Sequence, residues 1–171
     1  KTINPLINKF KKITFNINLM YLSKWKNDDI LLNKIIKKLS NKVHTVSFVD
    51  SYGALVPNEV NNFFKKLHNI PKKFKIGCHF HNNCGLALAN TLQAQQIGCD
   101  VVDSTFKGMG RGAGNAETEL LLAINADKSN KIYGFELANL LEKFENLKIN
   151  LKWGSSFAYA YAANSGFSQS E

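Results

Sequence analysis

Stretches rich in β-formers alternate with stretches of helical apolar spacing four times along this chain, at intervals of about 25 to 30 residues. Alternation at that period describes consecutive βα units around a parallel sheet. The expected strands are the run in KKITFNINLMYLS that ends near Met20 to Leu22, then VHTVSFVDS, FKIGCHFH and CDVVDSTF, with LKINLKW (147–153) as a fifth. Between them, Asn27, Asp28 and Asp29 open a helix whose apolar residues Leu31, Leu32, Ile35, Ile36 and Leu39 recur at helical spacing. Pro57 opens another, with Val60, Phe63, Phe64 and Leu67 as its stripe. Further helices are predicted over about 86–97, 116–126 and 135–145, and SSFAYAYAAN reads as helical. Right-handed crossovers leave two architectures for such a chain, an open doubly wound sheet or a (β/α) barrel. A complete eight-stranded barrel takes ~250 residues, so 171 residues with at most five strands hold only part of one.

The residues that are 44% hydrophobic supply one core of domain size, and no linker or low-complexity segment divides the chain. No apolar run approaches a membrane span, and the lysine-rich start lacks a signal-peptide core. Cys78, Cys84 and Cys99 are odd in number and lack paired CxxC spacing, so they read as free thiols in a reducing, cytoplasmic setting. The balance of 22 Lys+Arg against 13 Asp+Glu gives +9, which raises nucleic acid as a partner. Against it, the lysines are scattered over helix faces (Lys34, Lys37, Lys38), aromatic residues do not interleave them, and Arg111 is the one arginine. Neither nucleic acid nor a membrane is expected as a partner. The chain opens at Lys1 and ends in SGFSQSE, from which a fragment is expected.

Chemistry concentrates in three segments. In IGCHFH, side chains alternate along a strand, so His79 and His81 share one face while Cys78 and Phe80 share the other. Two imidazoles at the carboxyl end of a barrel strand suit a divalent cation completed by a carboxylate and water; the alternative is two hydrogen-bonded strand-end histidines. A zinc site through Cys78 or Cys84 lacks a fourth ligand at the usual spacing. In FKGMGRGAGNAETE, glycines 108, 110, 112 and 114 alternate without making a dinucleotide or P-loop fingerprint. Asn115 reads there as a helix N-cap, a role that leaves room for a side-chain oxygen near a metal. In SFVDSYGALVP, Asp50 and Ser51 suit a capped βα turn, or a hydroxyl on the strand-end face of His79. Cys84 as a nucleophile would need a base that no spacing suggests.

Taken together, FVDSYGALVPNEV and GCHFHNNCGLALANTLQAQQIGCDVVDSTFKGMGRGAGNAETE resemble the DRE-TIM metallolyases, a family that includes 4-hydroxy-2-oxovalerate aldolases, isopropylmalate and homocitrate synthases and hydroxymethylglutaryl-CoA lyase. The H-x-H-N followed by a helix, about 30 residues before G-x-G-x-G-N, carries the resemblance, which covers roughly 43–126 strongly and the remainder weakly. It implies the C-terminal part of a (β/α)8 TIM barrel over 1–153 and the start of a post-barrel helical segment over 154–171. It also implies one divalent cation, Mn²⁺ or Mg²⁺, on His79 and His81, with Asn115 as a further ligand. The aldolase branch fits best: Ser51 matches the serine set against the keto acid, His79 lies against substrate as well as metal, and Tyr159, or else Tyr161, matches a substrate-contacting tyrosine after the barrel. The lyase's cysteine is missing from GMGRGAG, and Asn82 stands where the aldolases usually carry a third histidine. The implied reaction converts a 4-hydroxy-2-oxo acid to pyruvate and an aldehyde, or the reverse, with the general base and the enolate-stabilising arginine expected upstream of Lys1. The ligands are then a small 2-oxo acid and an aldehyde, and the partners an acylating aldehyde dehydrogenase and further copies of the same chain in a homo-oligomer. Two rival readings stay open: a Claisen-type acyltransferase on the same metal, and a non-catalytic binding or assembly half-barrel.

Overall fold

The strand VHTVSFVD is buried at every position but His44 (β2, Val43–Asp50), as a parallel strand covered on both faces must be. In the computed structural model, which describes residues 4–10, 12–39, 41–68, 70, 73–126 and 133–167, β2 lies between β1 (Phe15–Leu19) and β3 (Lys75–Phe80). The last full strand, β4 (Val101–Asp103), pairs with β3. All three pairings are parallel, and the sheet order follows the chain, β1-β2-β3-β4. That order is the one a barrel arc requires, and the four strands expected from the sequence are all present.

The crossovers are helical. Helix α1 (Asn4–Lys9) precedes β1, and the short α2 (Leu22–Trp25) with α3 (Asp29–Lys38) joins β1 to β2. Asp28 caps α3, its carboxylate accepting the Leu31 N–H at 2.8 Å, as the acidic cluster predicts. Helix α4 (Pro57–His68) follows β2 and starts at Pro57. Its stripe Val60, Phe63, Phe64 and Leu67 is at most 2% exposed. Phe48 of β2 meets Phe63 edge-on with ring centroids 5.2 Å apart, and Phe64 continues the contact toward Phe80. Each such phenylalanine contributes ~1.5–3 kcal/mol by leaving water. Helix α5 (Ala87–Gln96) joins β3 to β4.

Two expectations fail after β4. LKINLKW is not a strand: 147–151 continue α7 (Tyr133–Leu151). Its alternating Leu147, Ile149 and Leu151 are 42–67% exposed, so the period-2 pattern met no sheet edge to bury it. The fifth extended piece lies earlier, at Asn115–Glu117 before α6 (Thr118–Asn125), in residues read as the helix start. Glu117 forms a parallel bridge with Thr105, and the Ala116 carbonyl accepts the Thr105 N–H at 3.0 Å. Asn115 is therefore not an N-cap; Glu117 holds that position without a side-chain bond. A 3₁₀ turn (Phe106–Gly108) opens the glycine loop, and α8 (Phe157–Ser165) ends the described residues, capped by Ser156. No helix among the described residues is long and apolar enough to cross a membrane.

Candidate functional site

The carboxyl ends of β2, β3 and β4 meet in a set of polar side chains. His79 and His81 stand on one face with ring centroids 5.1 Å apart, while Cys78 and Phe80 are sealed in the core at 0% and 1% exposure. The alternation inferred from the strand therefore holds. His79 pairs in register with Asp103 of β4, and its Nδ1 lies 3.6 Å from Asp103 Oδ2. At that distance the carboxylate neighbours the Nδ1 side of the ring without a hydrogen bond to it. Asp103 is a site residue the sequence reading missed; its signal was its place as the last residue of the strand CDVVD, level with His79.

His81 is held neutral. Burial, then the neighbouring His79, then the Arg111 charge lower its pKa to about 4, and its buried Nδ1 has no hydrogen-bond partner. A neutral imidazole with an unpartnered buried nitrogen is the form that ligates a metal. Asn115 bridges to His81 through the backbone. Its Nδ2 donates to the Met109 carbonyl at 3.1 Å, which leaves Oδ1 as its free end. A Cβ on Gly110 would run into that amide, so glycine is what lets the loop close on Asn115. Among the described residues, no group of three or more His, Cys, Asp or Glu is arranged to hold a metal ion. The donors present thus fit part of a divalent shell, two imidazoles with an amide oxygen, and the orphaned His81 nitrogen is the observation in favour.

Ser51 follows the Asp50–Phe80 pair in the parallel register, which brings it level with His81 and on the side of Val49 and His79. Its Oγ accepts the Tyr21 N–H at 2.8 Å. Tyr21, beyond the end of β1, is left-handed (φ 61°), a conformation that costs ~1–2 kcal/mol outside glycine. Asp50 is wholly buried; its Oδ2 accepts the Leu55 N–H at 2.8 Å and its Oδ1 has no partner. Burial raises its pKa against the opposing turn N–H groups and Lys26. The turn it ties carries Gly53 at φ 60°, where a Cβ would sit 2.7–2.8 Å from Asn83 and the His81 carbonyl. The loops after β2 and β3 are thus in backbone contact, and Cys84 N donates to the Gly53 carbonyl at 3.3 Å.

Helix α8 closes against the same loops. Asn83 Nδ2 donates to the Tyr159 carbonyl at 3.4 Å, and Asn164 Nδ2 contacts Cys84 Sγ at 3.7 Å. Phe157 and Tyr161 are 85% and 64% exposed and face outward as a pair, whereas Tyr159 is half-buried. The arrangement with Phe157 and Tyr161 packed inward does not occur. Burial raises the Cys84 pKa, the Asn164 contact opposes it and the Asp50 charge adds to it, so its thiol is not activated. An apolar cleft of about 640 Å³ opens between α6 and α7, lined in part by Leu122, Leu137 and Leu140, and contains none of these residues.

Comparisons with known proteins follow this geometry. A family model described as HMGL-like matches residues 1–144. A 4-hydroxy-2-oxovalerate aldolase of Thermus thermophilus is 43% identical over 100 residues, 58% of this chain and 28% of that protein. The protein of the same name from Pelotomaculum thermopropionicum is 48% identical over 81 residues, 46% of this chain and 23% of its own length. Among solved structures, the N-terminal domain of a protein described as an aldolase, from Bacteroides vulgatus, superposes with TM-score 0.79 at 33% identity, covering 92% of this chain and 52% of that one. The HMG-CoA lyase of Bacillus subtilis gives TM-score 0.66 at 23% identity over 89% of this chain and 55% of its own, a likeness of fold alone. The chain therefore spans under a third of the two curated relatives and about half of these solved chains.

Proposed function

The chain belongs to the HMGL-like family, and from that premise we propose that it is the carboxyl part of a divalent-metal-dependent aldolase, a carbon–carbon lyase that cleaves a 4-hydroxy-2-oxo acid to pyruvate and an aldehyde or runs the reverse addition. The relatives named 4-hydroxy-2-oxovalerate aldolase support the reaction class. The observation that carries the site is the pair of imidazoles with the buried, neutral, unpartnered nitrogen of His81. In this reading His79 and His81 are metal ligands, and Asn115 offers its Oδ1 as a third. Mn²⁺ or Mg²⁺ in that position supplies Lewis-acid stabilisation of the negative charge that develops as the C3–C4 bond breaks. Asp103 is the carboxylate nearest the Nδ1 side of His79. Ser51, whose Oγ is already oriented by the Tyr21 N–H, presents its own O–H to the 2-oxo acid, and His79 forms the wall beside it. Tyr159 faces the aldehyde-derived end. The general base and the enolate-stabilising arginine are assigned to the part of the relatives' length that this chain does not span.

The division into a barrel part, 1–153, and a post-barrel helical segment from 154 belongs to the same reading, as does a cytoplasmic setting, in keeping with three free thiols. The outward Phe157–Tyr161 pair is the surface assigned to a protein partner, an acylating aldehyde dehydrogenase or another copy of the chain. The test is replacement of His79 and His81 by Ala in the whole protein. Either change is expected to lower bound metal by elemental analysis and pyruvate release by at least ~10–100-fold, the cost already seen for partners of ligands. Full metal occupancy in the double variant would refute the site. Release of free CoA thiol from acetyl-CoA in place of pyruvate chemistry would move the protein to the acyltransferases.

A further inference from the structure

Arg111 is the one arginine of the chain, and it sits on the glycine loop that is joined to the histidine strand through Gly114–Asn82 and Asn115–His81. Its guanidinium is exposed and makes no hydrogen bond or ion pair among the described residues. The loop that carries it, by contrast, is tied to its neighbours through the backbone. The Arg111 carbonyl accepts the Gly114 N–H at 3.2 Å, and the Gly114 carbonyl accepts the Asn82 N–H at 2.9 Å, one residue past His81. The Gly112 carbonyl accepts the Gly154 N–H at 2.9 Å, and the buried Trp153 donates from Nε1 to the Lys107 carbonyl at 2.9 Å. An arginine on a loop anchored this way, with no carboxylate partner among the described residues, leaves its cation available to a ligand. Guanidinium also matches carboxylate and phosphate through paired N–H donors, which a lysine does not.

We infer that Arg111 is a specificity-determining residue that pairs its guanidinium with an anionic group, carboxylate or phosphate, on the aldehyde-derived end of the substrate. The outer end is indicated because Arg111 is exposed while His79 and His81 are half-buried. The inference rests on the aldolase reading for the identity of the ligand, not for the presence of an anion site.

Two measurements on the whole protein test it. The first is the kcat/KM for addition of pyruvate to butanal, succinic semialdehyde and glyceraldehyde 3-phosphate. Arg111→Gln is expected to lower the ratio of anionic to neutral aldehyde by roughly 10–100-fold, the range for hydrogen bonds to charged groups, and Arg111→Lys to recover part of it. Whichever anionic aldehyde loses more identifies carboxylate or phosphate as the group bound. An unchanged ratio in Arg111→Gln overturns the inference and leaves the aldolase reading standing. The second measurement follows the Arg111 Nε–H by NMR while succinate or inorganic phosphate is added to metal-free protein. A saturable shift, absent in Arg111→Gln, is expected, and no shift with either anion overturns the inference. A shift without any aldol addition upholds the anion site and refutes the aldolase reading.

Discussion

The β2–β3 pair and helix α7 are both rich in apolar residues, yet they hold their places by opposite means. In β2 and β3 nearly every side chain is buried, and Phe48, Cys78 and Phe80 lie at or below 1% exposure among the α4 phenylalanines. In α7, Phe135, Ile149 and Leu151 are 66–80% exposed. It meets the preceding 3₁₀ turn through the Phe106–Phe144 ring pair at 5.5 Å and the Lys107–Glu145 ion pair at 2.9 Å. The same residue types thus supply a core in one region and an uncovered surface in the other. Composition decides how much apolar area a segment has, and its neighbours decide whether that area leaves water.

The sharpest way to break this comparison is to truncate one apolar side chain against the sheet and one on α7. Phe64→Ala is expected to cost ~3–5 kcal/mol in urea unfolding, because the cavity it leaves is surrounded by packed rings. Ile149→Ala should stay within ~0.5 kcal/mol. Equal losses would mean that α7 is as deeply packed as the sheet.

Next in size is Gly53→Ala, in the turn that joins the β2 end to the β3 loop. The left-handed φ and the 2.7–2.8 Å approach to Asn83 and the His81 carbonyl both oppose a Cβ. A loss of ~1–3 kcal/mol is expected, with a change in the His81 ring signals by NMR. A neutral result would show that this junction yields as easily as the surface of α7.

Asp50 sharpens the contrast through pH. Its folded pKa lies above the ordinary carboxyl value of 3.8, chiefly through burial, so the folded state holds the proton more tightly than the unfolded chain. Its contribution to stability is therefore favourable at low pH and declines as pH rises from near 3.8 through the higher folded value. Asp50→Asn keeps an oxygen for the Leu55 N–H and removes the titration. The stability of the native protein minus that of Asp50→Asn, from urea melts at a series of pH values, should fall as pH rises across that window. A flat difference would mean that the carboxylate is solvated.

The smallest effect is expected from Glu145→Gln on α7. Its partner Lys107 holds the Glu145 pKa down, but the carboxylate is fully exposed. The change in melting temperature should be at the edge of detection and vanish in 1 M salt, where screening acts over about 3 Å.

How much of this was legible follows from the range of the contacts involved. The shared face of His79 and His81 follows from strand alternation alone, and α4 from Pro57 and its i, i+3, i+4, i+7 stripe. Both are local periodicities, and the structure carries both. The run 147–153 misled because its alternation is equally readable as the end of an amphipathic helix, and only a waiting sheet edge would have made it a strand. Asn115–Glu117 was unreadable for the converse reason: three residues carry no period, and their extended form is set by Thr105 and His81, which are distant in sequence.

What the sequence alone determined is therefore the βα alternation, the four strands, the inward pair of histidines and the resemblance that places the chain in its family. Each rests on spacings within one element or one continuous motif. The tertiary structure alone decided that Asp103 stands beside His79, that the His81 nitrogen is buried without a partner, that Tyr159 is more covered than Phe157 or Tyr161, and that the loop carrying Arg111 is tied to the residue after His81. These depend on strand register and on loops meeting across the ends of the sheet, where the chain separation is tens of residues and no local pattern records which side chains will meet.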